Sequence, residues 1–395
     1  MALHSLLTNM MLPSLITLLT LSNMASAAPS VMPRIAVTHS VLIGVPGQIL
    51  TADLTETSFK ITNKASAGAG SDYSWMRYKN STDTVYAVNE YGSEVTAFKL
   101  NHLDVKDGDS SHGSAGVVFL EFNKDQTRMV GAGYGSSMLD VWDTSAAGAP
   151  KLLKSVNVTS SYPSSGPLGN KPHQALFDPT GNWLVVPDLG ADRLLIADAK
   201  ADSYKLINAV SLKAGSGPRH GGFIQSGDRT FYAVACELSN QVHLYEFKYS
   251  DNGPEFVHLA EQSTYGPDIK PKNAGAAAGA LLVASNSRDI YISNRLSGDT
   301  EDNIAHFIFD AKTTNLTFTG SVPTGGVNPR SISFDASESI LFVTNVAGPL
   351  GVTAISRCAN SGSLGAKPFA GVNLTDLLPD GADPATVGPQ FVAAI

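Results

Sequence analysis

Residues 176–186 read Leu-Phe-Asp-Pro-Thr-Gly-Asn-Trp-Leu-Val-Val, and residues 332–343 read Ile-Ser-Phe-Asp-Ala-Ser-Glu-Ser-Ile-Leu-Phe-Val. Each stretch places a turn that contains aspartate between two apolar runs, which is typical of two antiparallel strands joined by a short loop. The pattern recurs along the chain about every fifty residues. A repeat of this period, with short strands in every unit, is typical of a β-propeller.

The second strand of each unit aligns best, and six copies are found: Val85–Glu90, Met129–Tyr134, Leu184–Leu189, Tyr232–Glu237, Ile290–Arg295 and Leu341–Val346. Further strands are expected near residues 40–44, 48–54 and 59–64, and the C-terminal residues 389–395 read as one more. The sequence therefore predicts an all-β fold, a seven-bladed propeller of four-stranded antiparallel blades over residues 39–395. Strands from both chain ends would close the ring, which removes free sheet edges.

The N-terminus carries a targeting pattern. Residues 11–21 are apolar and Ala25-Ser26-Ala27 is a small-x-small cleavage site, so residues 1–27 are predicted to be a secretory signal peptide and 28–38 a short N-terminal segment. No Lys or Arg precedes the apolar run, and a poorly ordered tail is the alternative. We expect a secreted or cell-surface (cell-wall) protein with no membrane span, because Pro13 interrupts a run that is also too short. Four sequons then become candidate glycosylation sites, at Asn80, Asn157, Asn315 and Asn373.

Composition narrows the class of partner and cofactor. A net charge of −8 argues against nucleic acid, since phosphate binding needs a basic surface. Cys236 and Cys358 fall in units too far apart for a disulfide, and we expect both to be unpaired. No Cys/His cluster has zinc-ligand spacing and no phosphate-binding loop precedes a helix, so we expect neither a metal nor a cofactor.

In an antiparallel blade the start of the first strand and the end of the second lie at the same edge, which faces the channel mouth. Ten polar residues occupy these two positions: His173, Arg219, His220 and Arg330 at first-strand starts, and Glu90, Tyr134, Asp188, Glu237, Arg295 and Asn345 at second-strand ends. Guanidinium groups bind carboxylates through paired hydrogen bonds, and a histidine beside a glutamate can move a proton near neutral pH. The set predicts a small anionic ligand, a carboxylate or a lactone, and proton transfer at a carbon or an ester.

A purely structural role is the alternative for these ten residues, in which they cap the channel and bind water. For some other polar residues a structural role is the expected one. Asp178 and Asp335 fall in turns at the opposite edge, where we expect them to accept hydrogen bonds from turn amides. Asp192 and Arg193 are interpreted as a surface pair.

Several motifs resemble those of the seven-bladed β-propeller lactonase family, which contains bacterial 6-phosphogluconolactonase and the fungal 3-carboxy-cis,cis-muconate cyclase. The chain resembles a secreted, fungal-type member, and the similarity covers nearly its whole mature length. The motifs are Pro172-His173-Gln174, Asp178-Pro179-Thr180-Gly181, Val186-Pro187-Asp188-Leu189-Gly190, Gly217-Pro218-Arg219-His220, Cys236-Glu237-Leu238-Ser239-Asn240 and Ser293-Asn294-Arg295.

The resemblance implies a catalytic set. The fungal cyclase uses a His, a Glu and two Arg without a metal, and the matching positions are His173, Glu237, Arg219 and Arg295. By this analogy the two arginines hold substrate carboxylates, and His173 and Glu237 transfer protons. Weaker substrate-binding candidates are Glu90, Tyr134, Asp188, His220 and Arg330. One departure is that residues 272–279 open the fifth unit with small groups where polar ones are expected.

Three functions are compatible with these residues. The first is a metal-independent cyclase-like lyase that closes an unsaturated polycarboxylate to a lactone. The second is a lactone hydrolase of the 6-phosphogluconolactonase type, which needs an activated water. The third, favoured by the signal and the sequons, is a non-catalytic secreted glycoprotein, an antigen or adhesin.

Overall fold

A computed structural model describes residues 38–66, 70–100, 109–164 and 166–395. The predicted signal peptide and residues 28–37 lie outside the described residues. In the described part of the chain, strands form seven four-stranded antiparallel sheets, and these are the blades of a propeller. The predicted fold class is therefore confirmed.

The six blades formed by consecutive strands are numbered along the chain. Blade 1 contains β4 (Trp75–Lys79), β5 (Thr84–Val88), β6 (Glu94–Lys99) and β7 (Asp109–His112). Blade 2 contains β8 (Val117–Phe122), β9 (Arg128–Gly133), β10 (Met138–Asp143) and β11 (Lys151–Asn157). Blade 3 contains β12 (Leu176–Phe177), β13 (Trp183–Asp188), β14 (Arg193–Asp198) and β15 (Lys205–Ser211). Blade 4 contains β16 (Pro218–Ser226), β17 (Arg229–Cys236), β18 (Gln241–Lys248) and β19 (Glu255–Ser263). Blade 5 contains β20 (Ala277–Val283), β21 (Asp289–Arg295), β22 (Asn303–Asp310) and β23 (Asn315–Pro323). Blade 6 contains β24 (Val327–Phe334), β25 (Ile340–Ala347), β26 (Leu350–Ser356) and β27 (Ala370–Asn373).

Blade 7 joins the two ends of the chain. Its strands are β1 (His39–Val45), β2 (Gln48–Leu54), β3 (Phe59–Ser66) and β28 (Phe391–Ala394), in the order β28-β1-β2-β3. The C-terminal strand pairs antiparallel with β1, with Val41 opposite Ala394 and Gly44 opposite Phe391. The predicted ring closure is thus confirmed, and hydrogen bonds between the first and last strands hold the ring together.

The core lies between neighbouring blades. Between blades 4 and 5, for example, the rings of Phe231 and Phe309 meet edge to face with centroids 4.8 Å apart, and both side chains are almost fully buried. Burial of such a side chain stabilises the fold by about 1.5–3 kcal/mol. First strands of successive blades, such as β16, β20 and β24, lie side by side around the central channel. Their starts therefore face one opening.

Turns and helices play local roles. Asp178 accepts from the amides of Thr180 and Trp183 at 3.0 and 2.8 Å, and Asp335 accepts from Ile340 at 2.7 Å, so the predicted turn role of both aspartates is confirmed. Among the described residues the α-helices are two four-residue segments, α1 (Val158–Ser161) and α2 (Leu374–Leu377). No helix in the described part of the chain has the length and apolar character needed to cross a membrane.

The cysteines and sequons have simple environments. Cys236 is buried, Cys358 is exposed, and both are free, as the sequence predicted. The four sequon asparagines, Asn80, Asn157, Asn315 and Asn373, are all exposed. A glycan could therefore be attached at each without displacing the core.

Candidate functional site at the channel mouth

The strand registers place the two sets of candidate positions at one edge. Pro218 at the start of β16 lies opposite Cys236 at the end of β17, and Ala277 lies opposite Arg295 in blade 5. In blade 3 the first strand is shorter than the motif suggested, because regular pairing begins only at Leu176. His173 therefore stands in the extended segment before β12, where its amide donates to the carbonyl of Pro187 at 3.0 Å.

β-Bulges aim the side chains at the mouth. The register of β16 shifts between Pro218 and His220, and similar shifts occur near the starts of β8, β20 and β24. A bulge adds one residue to a strand and re-aims its side chains, which would otherwise alternate between faces. Arg219 and His220 are consecutive, yet both are buried and their side chains lie together, with Arg219 Nη1 3.4 Å from His220 Nε2.

One carboxylate holds two guanidinium groups. Oε2 of Glu237 lies 2.8 Å from Nε of Arg219 and 2.7 Å from Nη2 of Arg295. Nη2 of Arg295 also donates to the carbonyl of Ala278 at 3.2 Å. We call these residues, Arg219, Glu237 and Arg295, the Glu237 triad. Two cations and one anion leave the triad a net charge of +1. Burial, and next the positive charge of Arg295, lower the pKa of Arg219 to about 9, so the side chain is still charged at neutral pH.

The imidazole of His173 lies beside this triad. Its ring centroid is 5.0 Å from that of His220 and 5.6 Å from that of Tyr134. Burial, followed by the charge of Arg219, holds the pKa of His173 well below its usual range. At neutral pH the ring is therefore uncharged, and its buried Nδ1 has no hydrogen-bond partner among the described residues. A neutral imidazole with a free ring nitrogen can accept a proton from water or substrate.

A second group of charges completes the mouth and includes a residue that the sequence did not single out. Arg330 forms an ion pair with Glu90. The main-chain amide of Glu90 donates a hydrogen bond of 2.9 Å to the main-chain carbonyl of Asp72. Asp72 is buried, and its Oδ1 lacks a hydrogen-bond partner within the described residues. Burial, and next the charge of Glu90, raise the pKa of Asp72 to about 6, with Arg330 acting in the opposite direction. Asp72 lies just before β4, at the first-strand start of blade 1. Because the other mouth candidates were chosen by the same position, Asp72 could have been predicted from the sequence in this way.

Both groups belong to one electrostatic site. The charge of Arg330 lowers the pKa of His173 as well as that of Asp72. A further cation stands at the rim, because Nζ of Lys171 lies 5.0 Å from the ring centroid of Tyr134. Lys171 was also missed, although it is part of the Pro-His motif region. The mouth thus has two parts. The Glu237 triad carries a net positive charge, whereas around Arg330 the positive charge is balanced by the carboxylate of Glu90.

Two of the predicted mouth residues are occupied by bonds within their own blades. Asp188 is fully buried and accepts from Asn170 Nδ2 at 2.8 Å and from the Lys171 amide at 2.6 Å. Its carboxylate also contacts Arg193 at 3.2 Å. Asn345 Nδ2 donates to the carbonyls of Thr324 and Leu350. These side chains fix the segments that carry the mouth residues.

The interpretation of Asp192 and Arg193 as a surface pair is wrong. Arg193 pairs with Asp188, as described above. Asp192 accepts from the amides of Gly215 and Gly217 at 2.8 and 2.7 Å. Gly217 has φ +62, a conformation that side chains with a Cβ rarely adopt. The Asp192 carboxylate therefore shapes the turn that leads directly into Arg219, a contact between adjacent blades that sequence order does not reveal.

The small residues that open blade 5 have a steric explanation. A Cβ on Gly279 would clash with Oγ of Ser293 and would lie 3.0 Å from Cδ and 3.1 Å from Nε of Arg295. The absence of a side chain at this point leaves room for Arg295 to reach Glu237. The departure from the polar pattern therefore serves the triad.

Below the mouth the channel contains a cavity of about 320 Å³. His220 lies at its upper end, with its ring centroid 5.4 Å from that of Trp75 and 5.8 Å from that of Phe119. Arg77 and Glu121 form an ion pair lower in the lining. His220 therefore lies between the charged mouth and a channel whose lining contains both apolar side chains and the Arg77–Glu121 ion pair. Within the described chain, no three mouth side chains come close enough together to bind a metal as a group.

Residues 36–370 match the family model "Lactonase, 7-bladed beta-propeller". The chain belongs to this family. Among curated members, it is 28% identical over 298 residues to a protein of Arthroderma benhamiae named "Probable 6-phosphogluconolactonase", covering 72% of this chain and 73% of that one. It is 29% identical over 265 residues to the 6-phosphogluconolactonase of Bacillus subtilis, covering 66% and 69%.

Solved structures confirm the fold. The periplasmic gluconolactonase of Pseudomonas aeruginosa superposes with a TM-score of 0.72 over 91% of this chain and 99% of that one, at 18% identity. A 6-phosphogluconolactonase-like protein of Bacteroides fragilis gives a TM-score of 0.69 at 21% identity, covering 91% and 98%. The family resemblance inferred from the motifs is thus confirmed for the lactonase family as a whole, and the comparisons do not single out its cyclase branch.

Proposed function

We propose that this chain hydrolyses a small anionic lactone at the channel mouth. The observation that carries the proposal is the Glu237 triad standing beside a neutral His173 whose Nδ1 is free to accept a proton. The names of the Arthroderma and Bacillus relatives favour a phosphorylated sugar lactone as the substrate class. A secreted member would meet such lactones, or other sugar-acid lactones, outside the cell.

The triad supplies the anion site in this proposal. Its net charge of +1 attracts the anionic group of the substrate, and Arg219 and Arg295 present planar donors that suit carboxylate or phosphate oxygens. Glu237 holds both guanidiniums with a single oxygen, so we assign it a positioning role. The same donors stabilise the negative charge that develops on the carbonyl oxygen when the ester is attacked.

His173 activates the water. Water attacks the lactone carbonyl carbon and gives its proton to Nδ1 of His173. The ring C–O bond of the lactone then breaks, and the departing alkoxide takes that proton, which leaves an open hydroxy acid. The nearby guanidiniums disfavour the imidazolium form, as the lowered pKa of His173 shows, so the proton is passed on readily.

The cyclase reaction is the second candidate, because the four positions that the resemblance assigns to it, His173, Glu237, Arg219 and Arg295, all lie at the mouth. In that reaction a carboxylate oxygen of the substrate adds across a C=C bond and a proton is delivered to carbon. Arginines that bind two carboxylates would serve it equally well. An ultraviolet assay separates the candidates, since cyclisation of 3-carboxy-cis,cis-muconate removes its diene absorbance and hydrolysis of a lactone releases acid without that change.

The decisive experiment measures acid release from 6-phosphogluconolactone and from neutral gluconolactone, with the enzyme-free rate subtracted. We expect the wild-type protein to hydrolyse the phosphorylated lactone faster, and His173→Ala to reduce the rate to near background. His112→Ala is the matched control, since His112 is an exposed histidine on β7. If the wild type accelerates neither hydrolysis nor cyclisation, the enzymatic proposal fails, and a binding role as a secreted glycoprotein, an antigen or adhesin, takes its place.

We also propose that the protein is secreted and glycosylated. The predicted signal at residues 1–27 supports this, as do four exposed sequon asparagines. The test is expression of the full chain in a fungal host. Protein in the medium that loses mass on treatment with an N-glycosidase supports the proposal, and unglycosylated protein retained in the cells overturns it.

A further inference from the structure

A group of three metal-ligand side chains lies on the outer half of blade 4, apart from the mouth. His243 is on β18, and His258 and Glu261 are on β19, the outermost strand of the blade. One ligand atom from each of the three lies within 4.8 Å of the others. In the described part of the chain this is the one such group. Neither the sequence spacing nor the lactonase mechanism accounts for it.

A β-bulge creates the group. The pairing of β18 with β19 runs from Leu244 opposite Ala260 to Tyr245 opposite His258, which leaves Leu259 as the extra residue. In a regular strand, residues three apart point to opposite faces, so His258 and Glu261 would be separated by the sheet. The extra residue restores them to one face. Glu261 lies directly opposite His243, so all three side chains share that face.

The three side chains combine one fixed ligand with two movable ones. His243 is buried, on the face where Tyr245 packs against Leu194 and other residues of blade 3. His258 and Glu261 are exposed. Nε2 of His243 is 3.8 Å from Oε2 of Glu261, and the two imidazole centroids are 5.7 Å apart. Tetrahedral coordination with bonds of about 2.0–2.2 Å needs ligand atoms somewhat closer together, and rotation of the exposed side chains supplies that movement.

In this structure a neutral side chain is the hydrogen-bond partner of the fixed ligand. At present Nε2 of His243 lies 3.3 Å from Oε1 of Gln241, a neutral amide that a divalent cation would replace as the partner.

We propose that His243, His258 and Glu261 bind one divalent transition-metal ion of the Zn²⁺ class, with a fourth coordination position open to solvent. Two imidazoles and one carboxylate form a ligand set that zinc accepts, and imidazole ligands favour zinc, copper and nickel over calcium and magnesium. The exposed position of His258 and Glu261 gives the ion a direct route from solvent. The site is structurally separate from the Glu237 triad and does not depend on the lactonase proposal.

Zinc binding to the purified full chain tests the proposal. The protein is stripped with a chelator, dialysed and titrated with Zn²⁺ by calorimetry, and bound metal is counted by elemental analysis. We expect one ion per chain, and His258→Ala and Glu261→Gln should each weaken binding by ~100-fold or more, beyond the effect typical of outer-sphere partners. His112→Ala, which removes an exposed histidine elsewhere, should bind like the wild type.

Melting temperatures, measured with and without Zn²⁺, show whether the variants remain folded and whether the metal stabilises them. Zn²⁺ should raise the melting temperature of the wild type and of His112→Ala, because a ligand that binds only the folded state stabilises it, and should leave the two ligand variants unchanged. Both ligand variants alter exposed side chains, so their melting temperatures without metal should match the wild type. Absence of zinc binding by the wild type overturns the proposal. The proposal is also overturned if His258→Ala and Glu261→Gln both bind one zinc ion with the affinity of the wild type.

Discussion

Replacement of Asp72 by asparagine should make the protein more stable at neutral pH. The side chain is 4% exposed, and its Oδ1 has no hydrogen-bond partner among the described residues. Burial and the neighbouring charge of Glu90 raise the pKa of Asp72 to about 6 in the folded protein. In the unfolded chain the value is about 3.9. The folded state therefore disfavours the ionised carboxylate that is present at pH 7.

The sign and size of the effect follow from this difference. Between about pH 4 and pH 6 the folded protein holds a proton on Asp72 that the unfolded chain releases, so the free energy of unfolding falls as the pH rises. A pKa difference of about two corresponds to ~3 kcal/mol, and the loss is complete above pH 6. Asparagine has nearly the same shape and carries no charge, so it avoids the cost of a buried carboxylate. We expect Asp72→Asn to gain about 2–3 kcal/mol at pH 7.5 and nothing at pH 4.

Urea denaturation at a series of pH values measures this directly, with the difference between variant and wild type plotted against pH. Asp228→Asn is the control, because Asp228 is an exposed aspartate in the turn between β16 and β17. Its difference from the wild type should stay flat across the range. An Asp72→Asn variant that is no more stable than the wild type at pH 7.5 would refute the reasoning, because it would mean that the buried carboxylate is already compensated.

Four further outcomes are expected at the mouth. His173→Ala should lower the rate constant for lactone hydrolysis by ~10²–10⁴-fold with an unchanged melting temperature, whereas unfolding would mark His173 as a structural cap. Arg219→Lys should raise KM for the phosphorylated lactone by ~10–100-fold despite the retained charge, and an unchanged KM would remove Arg219 from the anion site. Gly279→Ala should lower kcat/KM by roughly 10–100-fold by displacing Ser293 and Arg295, while Gly275→Ala, whose added Cβ would meet only Asn273 at 3.6 Å or more, should not. Hydrolysis should survive chelation even where zinc is lost from blade 4, and its abolition by chelator would show that a metal takes part.

The fold could be predicted because its signals are local. Alternating apolar residues and turn aspartates such as Asp178 report strand and turn positions wherever they occur, and their recurrence gave the blade number. The positions at first-strand starts and second-strand ends predicted one edge for His173, Arg219, Glu237 and Arg295. Glu237 contacts both arginines there, and His173 lies in the extended segment before β12. The short β12 was not foreseen, because the motif around Pro172 looks extended whether or not it is paired.

The missed residues share a physical cause. Asp72 differs from an ordinary aspartate only through burial and the approach of Glu90, which is far from it in sequence but whose amide donates to the Asp72 carbonyl within the same blade. Arg193 was assigned to Asp192 as its sequence neighbour, but the fold turns it toward Asp188 and gives Asp192 to the turn before Arg219. Such partnerships depend on which side chains meet at a strand end within a blade and, for Asp192, on the turn that leads into the next blade. A single sequence does not encode them in any local pattern.

By itself the sequence determined the propeller, its closure by both chain ends and the residue types at the mouth, because strand periodicity and turn chemistry act over a few residues. The tertiary structure alone decided which charges meet. It joined Arg219 and Arg295 on one oxygen of Glu237, left His173 neutral with a free nitrogen, and buried Asp72. A bulge in β19 likewise gathered His243, His258 and Glu261 on one face. Electrostatic environment and ligand geometry depend on distances of a few ångströms across blades, and only the packed ring fixes those.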